Sequence, residues 1–194
     1  MLYKHMSIEM NDEGYLELIL GPMFSGKTSK LVEIYNQCKY CNIDVLVLNH
    51  AIDNRYNENM LCTHDGKEIP CYKTSDLNII EIDHNIFNSV KVILINEGQF
   101  FKNLYANVTS WVDTYKKHVY VCGLDGDFKR NSFGEMLYLI PICNKVYKLN
   151  SLCSNCKNGK HALFSKRMSS ENEQVKVGSD NYQPLCRKCY LETT

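Results

Sequence analysis

Along the first 150 residues, short apolar runs alternate with longer segments of mixed polarity. The runs at 15–20, 44–48, 90–95 and 119–123 are rich in leucine and β-branched residues. They lack the strict alternation of a half-exposed strand, so they predict strands buried on both faces of a parallel sheet. Between them, 26–40 and 101–117 carry apolar residues at three- and four-residue spacing: Leu31, Ile34, Tyr35 and Cys38 in one, Leu104, Val108, Trp111, Val112 and Tyr115 in the other. That spacing predicts helices laying one stripe on the sheet. Segment 49–75 has no period and mixes Asp53, Arg55, His64, Asp65 and Gly66. It predicts a loop or hairpin at the carboxyl ends of the strands, where open α/β sheets bind ligands. Past residue 150 the pattern gives way to cysteine-bearing turns. The expected organisation is a flexible tail at 1–14, an α/β nucleotide-binding domain at 15–150 and a small module at 151–194, with no internal repeat.

Gly21-Pro22-Met23-Phe24-Ser25-Gly26-Lys27-Thr28-Ser29 falls where the first predicted strand meets the first predicted helix. Two glycines with four residues between them let backbone N–H groups turn inward around a phosphate, and the helix start adds a favourable dipole. Lys27 supplies a point charge for the β- and γ-phosphates and Thr28 a hydroxyl ligand for Mg²⁺. Strand before and helix after make this a phosphate loop, and the chain a nucleoside triphosphate binder.

Lys+Arg and Asp+Glu number 22 each, so no global field draws the protein to nucleic acid or to a membrane. The expected partner is a small molecule. Residues 1–14 lack the apolar core of a signal peptide, and no later run reaches membrane-spanning length, which predicts a soluble, cytoplasmic protein. In that setting ten cysteines are not a disulfide framework. Cys153-x-x-Cys156 and Cys186-x-x-Cys189, separated by 29 residues, have the spacing of two knuckles that bring four thiolates to one structural Zn²⁺. Cys38-x-x-Cys41 has no second knuckle and is read as packing, as are Cys62, Cys71, Cys122 and Cys143.

Glu97 follows the apolar run 92–95 and precedes Gly98-Gln99-Phe100-Phe101. In phosphate-loop folds a strand end beside the loop delivers acidic residues to metal and nucleophile. Transfer of a γ-phosphoryl group to a hydroxyl needs charge neutralisation, in-line positioning and a proton acceptor. Lys27 with Mg²⁺ meets the first need and Glu97 the last.

Taken together, Gly21 to Thr28, Asp53-Asn54-Arg55-Tyr56, Cys62-Thr63-His64-Asp65, Glu97 to Phe101, Leu124-Asp-Gly-Asp-Phe128 with Phe133-Gly134, and the two cysteine knuckles resemble the thymidine kinases of the cellular and poxviral type. The resemblance runs from about residue 16 to 190 with the motifs in family order. It implies a RecA-like core, ATP-dependent phosphorylation of the thymidine 5′-hydroxyl with deoxyuridine as a further acceptor, a zinc-held lasso loop over the nucleoside, a homotetramer, and feedback inhibition by dTTP. Carried over by motif, Glu97 is the general base, with Lys27 and Arg55 at the reacting groups and Asp53 nearby. Asn54, Asn96, Gly98 and Gln99 join the phosphate loop at the ATP site. Met23, Phe100, Leu124, Phe128 and Phe133 wall the base, and Tyr182 lies against it. Ser165, Glu173, Gln174, Val175, Lys176, Val177 and Gly178 complete the nucleoside site, the last four through their backbone.

This chain departs from the family pattern in two places. Asn96 stands where the family usually has Asp, keeping an oxygen acceptor but losing a charge beside Mg²⁺, which predicts weaker metal binding. Val177-Gly178-Ser179 stands where two adjacent glycines are common. Two other readings are open. One is a phosphate-loop ATPase with a zinc ribbon on nucleic acid, for which Lys157, Lys160, Lys166 and Arg167 would form a local basic patch. The other is a catalytically silent nucleoside-binding relative, for which Asn96 is the hint.

Overall fold

Leu16, Leu18 and Leu20 point to one side of the first strand and Ile19 to the other, and all are buried. Both faces of the sheet are therefore covered, which is why its strands read as continuous apolar runs. The computed structural model describes residues 12–53, 59–82, 84–175, 178 and 181–193. In chain order the main elements are β1 (Tyr15–Leu20), α1 (Lys27–Tyr40), β2 (Val45–His50), β3 (Met60–Cys62), β4 (Glu68–Pro70), β5 (Tyr72–Thr74), α2 (Asn78–Ile82), α3 (His84–Ser89), β6 (Val92–Asn96), α4 (Leu104–Asp113), β7 (His118–Gly123) and β8 (Lys145–Lys148). A six-stranded sheet in the order β5-β2-β6-β7-β1-β8 is parallel throughout. One face packs on Phe87, Trp111 and Val108, the other on Leu31, Ile34 and Cys38 of α1.

The strand expected at 15–20 is observed there, and the other three differ by one or two residues at one or both ends. The helix expected over 101–117 is confined to α4. Asn103, at φ 59, turns into it, and Tyr115 lies beyond its end, contributing its ring edge-on to Phe87 at 4.9 Å. The segment expected as a loop or hairpin contains the β3–β4 hairpin but also β5, and its first two residues belong to β2. Neither β5 nor β8 was foreseen: both are short, polar edge strands.

The remaining elements are β9 (Ser151–Leu152), β10 (His161–Ala162), β11 (Phe164–Arg167), β12 (Tyr182–Leu185) and α5 (Arg187–Glu192). They form two antiparallel hairpins, β9–β10 and β11–β12, around a small core of Cys153, Ala162, Leu185, Cys186, Cys189 and Tyr190. Among the described residues no helix is long and apolar enough to cross a membrane.

Candidate active site

The phosphate loop begins where β1 meets β8. A Cβ on Gly21 would lie 2.6 Å from the Leu149 carbonyl oxygen, so the chain can pass only as glycine. Gly26, at φ 83, makes the left-handed turn into α1, whose first residue is Lys27. The Lys27 ammonium donates to the Pro22 carbonyl at 2.8 Å. Burial lowers its pKa, and the Glu97 carboxylate opposes that shift. Met23 to Ser29 line an open cleft, while Gly21 and Pro22 are buried behind it.

Glu97 follows the last residue of β6 with φ 56 and ψ 42, a left-handed backbone that disfavours any residue with a Cβ. The strained corner carries the carboxylate into the cleft. Gln99 holds it there: its Nε2 donates to Glu97 Oε2 at 2.7 Å, and its Oε1 accepts from the Leu124 N–H at 2.9 Å. A Cβ on Gly134 would sit 2.2 Å from the Gln99 carbonyl oxygen, so the 3-10 turn Gly98–Phe100 is clamped by close backbone contact. Gly98 itself packs toward Met136 and does not line the cleft.

Asn96 lies one layer deeper, 1% exposed. Its Nδ2 donates to Asn49 Oδ1 at 2.9 Å, and its Oδ1 accepts from Cys122 Sγ at 3.0 Å and from Thr28 Oγ1 at 3.5 Å. Asn49 Nδ2 in turn donates to Asp53 Oδ2 at 3.3 Å. A line of side chains thus runs from Thr28 through Asn96 and Asn49 to Asp53. Sequence reasoning gave Asn49 no role; a polar residue at the end of an apolar strand was its only signal.

The other end of the cleft is aromatic. Phe100 and Phe133 meet edge-on at 5.4 Å, and Leu124, Phe128, Ser165, Gln174, Val175, Gly178 and Tyr182 join them in the lining. Ile52, Asp53, Cys62, His64 and Asp127 line it too. Asp127 had no assigned role; it is buried and accepts from the N–H groups of Lys129 and Asn131 and from Gln174 Nε2 at 2.9 Å. Two strands beyond residue 150, β9 and β11, hold the phosphate loop directly. Ser165 Oγ accepts from the Met23 N–H at 2.8 Å, and Ser151 Oγ donates to the Phe24 carbonyl at 3.0 Å. Glu173 stands outside the lining and points its carbonyl to Arg167. Arg167, a member of the basic patch that the nucleic-acid reading would need, is 4% exposed. Asn54, Arg55, Lys176 and Val177 lie outside the described residues.

The Sγ atoms of Cys153, Cys156, Cys186 and Cys189 all lie within 4.8 Å of one another, with Cys156 3.4 Å from Cys189 and 3.8 Å from Cys186. Four thiolates at about 2.3 Å from a tetrahedral zinc would be roughly 3.8 Å apart, so the donor set fits that ion. Backbone and side-chain N–H groups already point at the sulfurs: the Cys186 N–H at Cys153 (3.3 Å) and Asn155 Nδ2 at Cys189 (3.2 Å). Burial pushes the Cys153 thiol up, but N–H donors from Cys156, Cys186 and Asn155 outweigh it and bring it to about 6. Elsewhere burial pushes Cys38 and Cys71 up to about 11 and Cys122 to about 12, as expected of packing thiols.

The family model described as thymidine kinase matches residues 14–190. Thymidine kinase of Myxoma virus (strain Uriarra) is 39% identical over 179 residues, covering 92% of this chain and 97% of that protein. Thymidine kinase of Oryza sativa subsp. japonica is 35% identical over 191 residues, 96% of this chain and 70% of that protein. Thymidine kinase of Choristoneura fumiferana entomopoxvirus is 36% identical over 182 residues, 91% of this chain and 96% of that protein.

Proposed function

The chain belongs to the thymidine kinase family, and from that premise we propose that it transfers the γ-phosphoryl group of ATP to the 5′-hydroxyl of thymidine, with deoxyuridine as a further acceptor. The observation that carries this reading is a single cleft lined at one end by the phosphate loop and at the other by an aromatic cage, with Glu97 in the same lining. Glu97 takes the proton of the 5′-hydroxyl, and Gln99 holds its carboxylate in register with the base pocket through Leu124. Lys27 leaves the Pro22 carbonyl to meet the β- and γ-phosphates, and loop N–H groups hold the remaining oxygens. Arg55 is assigned to the reacting groups by resemblance. Bound Mg²⁺ neutralises phosphate charge, and Thr28 is the side chain that would hold it, with Asn96 behind. Met23, Phe100, Leu124, Phe128, Phe133 and Tyr182 enclose the base, whose polar edge meets the backbone of Val175 and Gly178 in the same lining; Lys176 and Val177 are assigned there by resemblance.

The four cysteines would hold one structural Zn²⁺ and so fix the roots of the lasso. We place the division between nucleotide-binding domain and lasso module at residue 150. Feedback inhibition by dTTP, the homotetramer and the cytoplasmic setting rest on resemblance; dTTP would place its base and its phosphates at opposite ends of the same cleft. Burial of Arg167 removes a member of the basic patch that the nucleic-acid reading needs. ADP release measured with and without thymidine, with deoxycytidine as control, tests the proposal. Strict dependence on thymidine is expected; release without any nucleoside would favour an ATPase, and no release a silent relative.

A further inference from the structure

Arg167 ends β11 opposite Tyr182, which begins β12, so it sits at the neck of the loop 168–181. All five guanidinium donors are engaged inside the protein. Nε donates to the Tyr182 hydroxyl at 3.0 Å. Nη1 donates to the Glu171 carbonyl at 3.2 Å and to the Glu173 carbonyl. Nη2 donates to the Gln174 carbonyl at 3.1 Å and again to the Tyr182 hydroxyl. The flat face of the group stacks on Phe128, 3.9 Å from its carbon to the ring centroid.

We propose that Arg167 is the positioning residue that shapes the lasso and, through it, the nucleoside pocket; the second part rests on the thymidine kinase reading. Three carbonyls gathered at one guanidinium fold the first half of the loop inward. That fold brings Gln174 to Asp127 and turns Val175 toward the cleft. The same group fixes two walls of the base site at once: Phe128 by stacking and Tyr182 by its hydroxyl. Only arginine can do both, because lysine offers three donors on a point charge and no planar face. The guanidinium's hydrogen bonds go to neutral oxygens among the described residues, so carbonyl dipoles and the Phe128 π-face replace its hydration. Opening the loop returns the charge to water. Residues 168–175 are thus held by carbonyl geometry at Arg167, and a nucleoside filling the space between Phe128 and Tyr182 favours that arrangement.

Arg167→Lys, with hydrogen exchange over 168–175, zinc content and steady-state kinetics for both substrates, tests this. The expected result is faster exchange in that segment and a thymidine KM raised on the order of 10- to 100-fold, with kcat within a few-fold, ATP KM unchanged and zinc retained. Wild-type exchange and thymidine KM would overturn the proposal, as would equal weakening of both substrates. Tyr182→Phe keeps the ring and deletes the hydroxyl that receives two of the donors. It is expected to shift thymidine KM and exchange in the same direction by a smaller factor, and it decides the matter if Arg167→Lys does not fold. If the wild-type protein fails to phosphorylate thymidine, the kinase reading falls, while loop exchange in Arg167→Lys still tests the positioning role.

Discussion

The two ends of the cleft are held by different physics. At the phosphate end, position comes from local backbone: a glycine that admits the Leu149 carbonyl, a left-handed Gly26, and a left-handed Glu97 at the end of a central strand. At the aromatic end, position comes from side chains reaching across the chain: Arg167 to three carbonyls, Gln174 to Asp127 and Ser165 to Met23, with four cysteines meeting at a common point outside the lining. The first kind of order is built into a buried parallel sheet and persists as long as the sheet does. The second can be loosened while the sheet stays folded, which suits the proposed role of this end in admitting and releasing a nucleoside.

The largest effect that would test this contrast is at Glu97. Glu97→Gln should lower kcat on the order of 10²-fold or more, while calorimetric thymidine affinity stays near wild type, because the corner that aims the side chain is unchanged. Turnover at the wild-type rate would remove Glu97 as the base. Next comes Cys156→Ser, predicted to lose metal by elemental analysis and to raise thymidine KM about 10-fold with ATP KM within about 2-fold. Equal losses for both substrates would mean that the two ends are not mechanically separate.

A smaller effect is expected at Asn96. Asn96→Asp places a carboxylate next to Thr28 and should lower the Mg²⁺ concentration for half-maximal rate by roughly 2- to 5-fold. The same change deletes the donor to Asn49, so a melting temperature lower by about 2–4 °C accompanies it. A Mg²⁺ titration with the same curve for both proteins would show that position 96 does not sense the metal.

The smallest effect lies away from both ends, at Glu17 on β1. It is 2% exposed, its Oε2 accepts from the Tyr15 hydroxyl at 2.8 Å, and its Oε1 has no hydrogen-bond partner among the described residues. Burial raises its pKa; the Tyr15 hydrogen bond and the charges of Lys145 and Lys30 oppose that only in part. A carboxyl whose folded pKa is raised contributes its full stability below its ordinary value of 4.5 and loses it as pH rises through the folded value. Glu17→Gln should therefore melt about 2–4 °C above wild type at pH 8, with a smaller difference at pH 5. Equal differences at both pH values would show that Glu17 is not titrating.

The same contrast decides what the sequence could reveal. Strands buried on both faces announced themselves as apolar runs, and the phosphate loop was legible because its chemistry is contiguous. The edge strands β5 and β8 were not, since a strand with one neighbour and a solvated flank carries no such run. Helix α4 was overextended because Tyr115 packs on Phe87 from beyond its end. The cysteine knuckles were readable from spacing alone. The burial of Arg167 was not legible because what buries it lies between four and fifteen residues further along the chain, with Phe128 far upstream. Asn49 and Asp127 each also bond to a residue 47 positions away, Asn96 and Gln174, and no local pattern encodes those contacts.

The paired amides of Asn49 and Asn96 also bear on how this chain can change over generations. A primary amide donates at one end and accepts at the other, whereas a carboxylate only accepts. Asn49 accepts from Asn96 and donates to Asp53, so an acidic residue at 96 would force Asn49 to turn its donor that way and present an oxygen to the Asp53 carboxylate. The two positions are therefore not free to drift one at a time. Asp at 96 therefore costs more stability while Asn49 stands than it would beside a residue able to donate in both directions, so the hydrogen bonds favour a change at 49 first.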